Sequence, residues 1–166
     1  MSDQPKQLTH LDESGNIRMV DVSDKQETTR EATARARVRL DPHTVHLIVT
    51  NQVAKGNVLE VAKIAAIMAA KQTPHLVPLC HPLPMTHIDV QFEVDAEQGI
   101  IQIEARTRVT YKTGVEVEAL TAALIASLTI YDMVKGVDHT VTIEQAHIAR
   151  KSGGKSGVVE FDPQTR

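Results

Sequence analysis

Two neighbouring stretches of the chain alternate strictly between apolar and polar residues. In one, Ile88, Val90, Phe92 and Val94 interleave with His87, Asp89, Gln91, Glu93 and Asp95. In the next, Ile101, Ile103, Ala105, Thr107 and Val109 interleave with Gln102, Glu104, Arg106, Arg108 and Thr110. Residues 96–99 form a turn between them, so the pattern predicts a hairpin with one buried face. Residues 29–40 alternate in the same way, with Ala32, Ala34, Ala36, Val38 and Leu40 on one side. Alanine is a poor strand former. The opposite, Arg-rich side reads as a solvent face or a subunit contact, and less readily as an anion site. Residues 139–150 read as a last strand whose alternation breaks near Glu144 and Gln145.

The remaining periodic stretches have helical spacing. Asp41-Pro42 supplies an N-cap and a first-turn proline, starting a helix that runs to about residue 51. Lys55-Gly56-Asn57 interrupts the chain, and Asn57 followed by Glu60 fits a capping-box variant. A second helix is predicted over 58–71, with apolar positions Val61, Ile64, Ile67 and Met68 and with Pro74 beyond its end. The third, 113–135, carries Leu120, Leu124 and Leu128 every four residues with Ile125 beside them, which predicts a packing stripe. Gly136 stops it. Between the second helix and the hairpin, residues 75–87 read HLVPLCHPLPMTH. The three prolines exclude a helix and a central strand there, leaving a stiffened, apolar, irregular segment.

The order strand, helix pair, strand, strand, helix, strand predicts an α+β fold. It is the ferredoxin-like arrangement, an antiparallel sheet with helices on one face. Residues 1–16 read as a loose leader, 17–150 as one domain, and 151–166, which begin KSGGKSG, as a flexible tail.

Composition narrows the function. Aromatic residues make up 2% of the 166, so the core is expected to rest on Ala, Val, Leu and Ile. A net charge of −3 provides no electrostatic case for nucleic acid or an acidic membrane. The single cysteine, Cys80, excludes an internal disulfide and suits a reducing cytoplasm. Residues 1–16 are polar and carry no signal pattern. The longest apolar helix candidates include Lys63 or Glu118 and read as too short for membrane spans.

Chemistry is expected first at Asp132 and Lys135, which are three residues apart and share a helix face. An acid in the last turn opposes the helix dipole, which favours a site over pure packing. The same pair also reads as an ordinary surface ion pair. Glu116 and Glu118 lie in the first turns, where the dipole favours them. Glu118 and Asp132 are about 40° apart around the axis but roughly 21 Å apart along it. A single chain therefore cannot close them into a dyad, and a shared site needs a long ligand or a second subunit. Lys55, just ahead of a helix N-terminus, suits a phosphate or simply solvent. Cys80-His81 sits in the proline-braced loop without metal-finger spacing, either as a buried pair or as a preorganised ligand contact. Gly154-Lys155-Ser156 fails as a P-loop, because Ala149 stands where the pattern needs glycine.

Several blocks carry a resemblance. PLCHPLP at 78–84, KTGVEVEALTAA at 112–123, LTIYDMVK at 128–135 and KSGGKSG at 151–157 resemble the signature blocks of the MoaC family. The resemblance implies that 3′,8-cyclo-7,8-dihydroguanosine triphosphate, made by a radical-type partner enzyme, becomes cyclic pyranopterin monophosphate. Pyrophosphate is released, in molybdenum cofactor biosynthesis. It implies a ferredoxin-like homohexamer, a trimer of dimers with sites between subunits. It assigns acid–base catalysis to Asp132 with Lys135 beside it, and places Lys55 with the triphosphate. Leu79, Cys80, His81, Val117 and Glu118 would bind the purine or pterin end, with Glu116, Lys151 and Lys155 as further contacts. No resident cofactor and no protein metal cage are implied, although a triphosphate can bring Mg²⁺ with it. The other class that fits is a non-catalytic ferredoxin-like oligomer that binds a nucleotide or pterin.

Overall fold

Alternation in the first strand separates two environments. Ala32, Ala34, Ala36 and Val38 are buried on one side, while Arg35 and Arg39 are exposed on the other. The structure, a computed structural model, describes residues 14–162. Its elements are β1 (Thr28–Arg39), α1 (Pro42–Val49), α2 (Val58–Leu76), β2 (His87–Asp95), β3 (Ile100–Tyr111), α3 (Glu116–Val134), β4 (Thr142–Ser152) and β5 (Val159–Glu160). A 3₁₀ turn, Gly154–Ser156, joins the last two strands. Most of the expected leader lies outside the described residues.

The strands form one antiparallel sheet in the order β2-β3-β1-β4-β5. The first four strands have the ferredoxin-like order, so the α+β fold is the one the sequence predicts. The hairpin pairs Val90 with Ala105, as the two alternations require. α2 and α3 pack against each other, and α3 also packs on β1, β3 and β4. Both caps form as expected: the Asp41 carboxylate accepts from His43 N–H at 2.8 Å, and Asn57 Oδ1 accepts from Glu60 N–H at 3.1 Å.

The buried faces of both helices are rich in small residues. α2 buries Ala62, Ala66, Ala69 and Ala70, and α3 buries Ala119, Ala122, Ala123, Ala126 and Ser127. This corrects the predicted packing stripe. Leu124, Leu128 and Tyr131 are exposed on α3, as are Val61, Ile64 and Met68 on α2. Both helices are apolar around most of their circumference, and periodicity alone cannot choose between two apolar faces. Alanine on the sheet side lets the backbones approach, which also accounts for the alanines in β1.

Three boundaries differ from expectation. α2 continues through Pro74 to Leu76; in the last turn proline removes one hydrogen bond, and Val77 N–H still closes on Thr73 O at 2.9 Å. β4 runs to Ser152, and residues 154–160 form a turn and a strand where a tail was expected. Gly153 and Gly154 mark a close approach: a Cβ on Gly153 would sit 2.2 Å from Thr29 O, and one on Gly154 2.0 Å from Arg30 Nη1. Composition alone reads such glycines as a linker. At nineteen residues and mean hydropathy 1.5, α3 does reach the length of a membrane span, but half of that window is buried in the fold.

The broken alternation in β4 is a bulge. Ala36 pairs with Ala146 and Val38 with Ile143, so Glu144 and Gln145 together face Arg37. Glu144 then reaches Arg39 Nε at 2.6 Å and Arg37 at 3.8 Å.

Just beyond α3, buried Asp138 binds distant segments together. Its carboxylate accepts from Asp41 N–H at 2.8 Å, Thr140 N–H at 2.8 Å and Thr140 Oγ1 at 2.7 Å. Burial pushes its pKa up, but these donors and Thr44 outweigh that and hold it below the usual carboxylate range. A depressed native pKa contributes stability that is present above the unfolded value and lost as pH falls through the folded one. Asp138→Ala, which strands buried donors, is expected to lower stability by about 3 kcal/mol at pH 7, and by less in acid. Urea denaturation at the two pH values measures this.

Candidate active site

The two ends of α3 carry separate clusters. At the C-terminal end, Lys135 is the cap residue, and its Nζ lies 2.8 Å from Asp132 Oδ1. Lys55 comes from the turn between α1 and α2, where Gly56 N–H bonds Val53 O at 2.9 Å. Lys55 Nζ approaches Asp132 Oδ2 at 3.1 Å and also donates to the Asp132 backbone oxygen. That oxygen belongs to the carbonyl-rich, negative end of the helix. The three side chains are about half exposed. Lys135 foremost, then Lys55, holds the Asp132 carboxyl below its ordinary pKa, and Asp132 raises that of Lys135. Asp132 is thus an ionised carboxylate between two ammonium groups, a base rather than an acid in this state.

At the other end, α3 starts with no side-chain cap. The Glu116 carboxylate folds back over Gly114, where a Cβ would lie 2.0 Å from Glu116 Oε2, and pairs with Lys151 Nζ at 3.2 Å. Glu118 is buried, at 2% exposure. Burial, with Glu116 adding negative charge, pushes its pKa up to about 7. Cys80 is half-buried close by: burial, then the Glu118 charge, raises its thiol pKa. His81 Nε2 lies 2.9 Å from Val20 O.

The structure therefore joins Lys55 with Asp132 and Lys135, and Glu116 with Lys151, and sets Cys80 near Glu118. It does not bring the two clusters together within one chain. Leu79 is partly buried and Val117 exposed beside the second cluster. Lys155 is exposed in the 3₁₀ turn. The helix dipole favours a first-turn charge at Glu118, as the sequence suggests, but its desolvation outweighs the dipole. Sequence reasoning missed Asp138, and also Lys112, whose Nζ donates to Ser23 O at 2.6 Å. Each reaches a backbone group of a remote segment, Asp41 N–H for Asp138 and Ser23 O for Lys112, and such a contact leaves no local signal.

A broad groove lies elsewhere, on the open face of the sheet. About 670 Å³ in volume, it is lined by Arg35, Arg106, Arg108, Glu31 and Glu104 among others. Arg35 and Arg106 pair with Glu104, and Arg108 pairs with Glu31, so its charge is largely neutralised. Among the described residues no group of three or more His, Cys, Asp or Glu side chains could hold a metal ion.

Fold and clusters together define a ferredoxin-like α+β protein with lysine–carboxylate groupings at both ends of one helix. The chain belongs to the MoaC family, whose profile matches residues 19–154. It is 56% identical over 153 residues to a protein of Pelotomaculum thermopropionicum named cyclic pyranopterin monophosphate synthase, covering 92% of this chain and 90% of that one. Proteins with the same name from Thermomicrobium roseum and Desulfitobacterium hafniense are 52% and 54% identical, each over 91% of this chain and 91% and 92% of their own lengths. A de novo designed protein with ferredoxin fold aligns over 80% of this chain and 96% of its own at TM-score 0.41 and 12% identity, too distant to add to the topology.

A carboxylate whose pKa rises on folding destabilises the native state at high pH, because the unfolded chain ionises more readily. Glu118→Gln is therefore expected to raise stability by about 2 kcal/mol at pH 8, after allowance for residual solvation, and to change it little at pH 4.5. Denaturant melts of the variant and wild type at both pH values give the comparison.

Proposed function

We propose that this chain catalyses the conversion of 3′,8-cyclo-7,8-dihydroguanosine triphosphate to cyclic pyranopterin monophosphate, with release of pyrophosphate, in molybdenum cofactor biosynthesis. The observation that carries this reading is the convergence of Lys55, from a remote turn, with Lys135 on the single carboxylate of Asp132. The reaction needs cations for a triphosphate and groups that move protons. A triphosphate competes with Asp132 for both lysines. Once they turn to phosphate oxygens, the Asp132 carboxylate loses its stabilising partners and becomes a stronger base. It then accepts the proton of the sugar hydroxyl that attacks the phosphorus nearest the sugar. Pyrophosphate departs with the bridging oxygen, and its charge is met by Lys55 and Lys135.

The pterin end belongs with the other cluster: Leu79, Cys80, His81, Val117 and Glu118, with Glu116, Lys151 and Lys155 at its margin. A Glu118 carboxyl with pKa about 7 both donates and accepts protons near neutrality, which suits purine opening and pterin closure. The chain supplies no resident cofactor. Mg²⁺ enters with the triphosphate, and a radical-type enzyme of the cytoplasm provides the substrate.

Sites form between subunits of a homohexamer, a trimer of dimers. Two observations support this: the clusters stand at opposite ends of α3, and the outer helical face carries Met68, Leu124 and Leu128 exposed to solvent. Leu128→Asp is expected to dissociate the assembly and abolish turnover while the circular dichroism of each chain persists. Sedimentation and activity on the same sample check it.

Asp132→Asn and Lys135→Ala are expected to remain folded and form no pterin; near wild-type turnover in both would remove these residues from the site, whereas a non-catalytic binding oligomer would show no turnover even as wild type. For shared sites, refolding Asp132→Asn together with Glu118→Gln should restore about a quarter of wild-type turnover, since half the dimers are mixed and each holds one intact site. The assay follows pyrophosphate release and the oxidised, fluorescent pterin.

A further inference from the structure

The contact between His81 Nε2 and Val20 O has a definite chemical direction. A carbonyl oxygen only accepts, so Nε2 carries the proton. In the neutral ring Nδ1 is then left with its lone pair. Val20 lies in a short strap, Met19 to Ser23, that is fastened just after this contact. Val22 is buried, and its carbonyl accepts from Lys25 N–H at 3.0 Å. The Asp21 carboxylate accepts from Ser23 N–H at 2.8 Å. Ser23 O accepts from Lys112 Nζ, and Lys112 stands four residues ahead of α3. The strap thus bridges the proline-braced loop that carries His81 and the approach to the helix that carries Glu116 and Glu118. Packing alone does not require this arrangement: Met19 on the strap is half exposed, and the bond to His81 comes from a backbone group of a segment with no other regular structure.

We propose that the strap of residues 19–23 is a positioning element for His81. By accepting from Nε2–H, Val20 O holds the neutral imidazole in one tautomer, so the ring exchanges protons with the ligand only through Nδ1. A proton taken at Nδ1 gives an imidazolium that keeps the Val20 bond, and the same nitrogen returns it. Val20 is a positioning residue; it touches the ring and not the reacting atoms. The inference rests on the reading that His81 serves the pterin end of the substrate.

The test uses the full-length, ¹⁵N-labelled protein, with long-range ¹H–¹⁵N spectra to identify the His81 tautomer. The wild type is expected to be Nε2–H, and an Nδ1–H ring overturns the proposal by itself. The double variant Val22→Ser/Lys112→Met loosens the strap at two points without altering His81. It is expected to show mixed tautomers, with kcat lowered about tenfold and KM changed less than about twofold. A variant that keeps the Nε2–H tautomer, or that loses it with kcat intact, overturns the proposal. His81→Phe separates the two layers: wild-type turnover there removes His81 from the site, whatever the tautomer measurements show.

Discussion

Close approach between helices and sheet, made possible by alanine, governs the rest of this structure. Ala34 and Ala105 on the sheet share one core cluster with Ala62, Ala66, Ala119, Ala122, Ala123 and Ala126 from the helices, all fully buried. Each such side chain removes little apolar area from water, so the layer depends on dispersion between closely packed backbones. A single larger residue there would push the layers apart. The bulkiest fully buried side chains are Ile101, Ile103 and Ile130, while Leu124, Leu128, Ile64 and Met68 stand on the outside.

α3 is the rod that this layer supports. Its ends present opposite electrostatic problems. At the start, a carboxylate is pushed towards neutrality by burial; at the finish, a carboxylate is held ionised by two lysines. Environments that drive two carboxylates in opposite directions are the usual mark of divided acid–base labour. Here the pair is separated by the length of a helix, and assembly is what would unite them.

Much of the fold could be read from the chain because a period of two is hard to mimic. The hairpin, the long first strand and even the bulge at Glu144 and Gln145 follow from alternation and its interruption. The helices were legible as helices but not in their rotation, since alanine and leucine are both apolar and only packing distinguishes them. Asp132 and Lys135 were legible because they are three residues apart. Their meeting with Lys55 spans seventy-seven positions and left no pattern. The contacts of His81 and Lys112 with backbone oxygens were invisible for a further reason, since any residue supplies a carbonyl.

The central position of β1 also has a consequence in time. Thr28 pairs with Tyr111 and Arg39 with Ile100, while the other edge of β1 waits for β4. During synthesis β1 emerges early and has no neighbour until most of the chain has followed it. Such non-local pairing is slow, and an unpaired strand is open to wrong partners. Its composition answers that exposure: every second residue from Arg35 to Arg39 is arginine, and the intervening apolar residues are mostly alanine. The strand that ends in the middle of the sheet is, while it waits, among the least adhesive that a strand sequence can be.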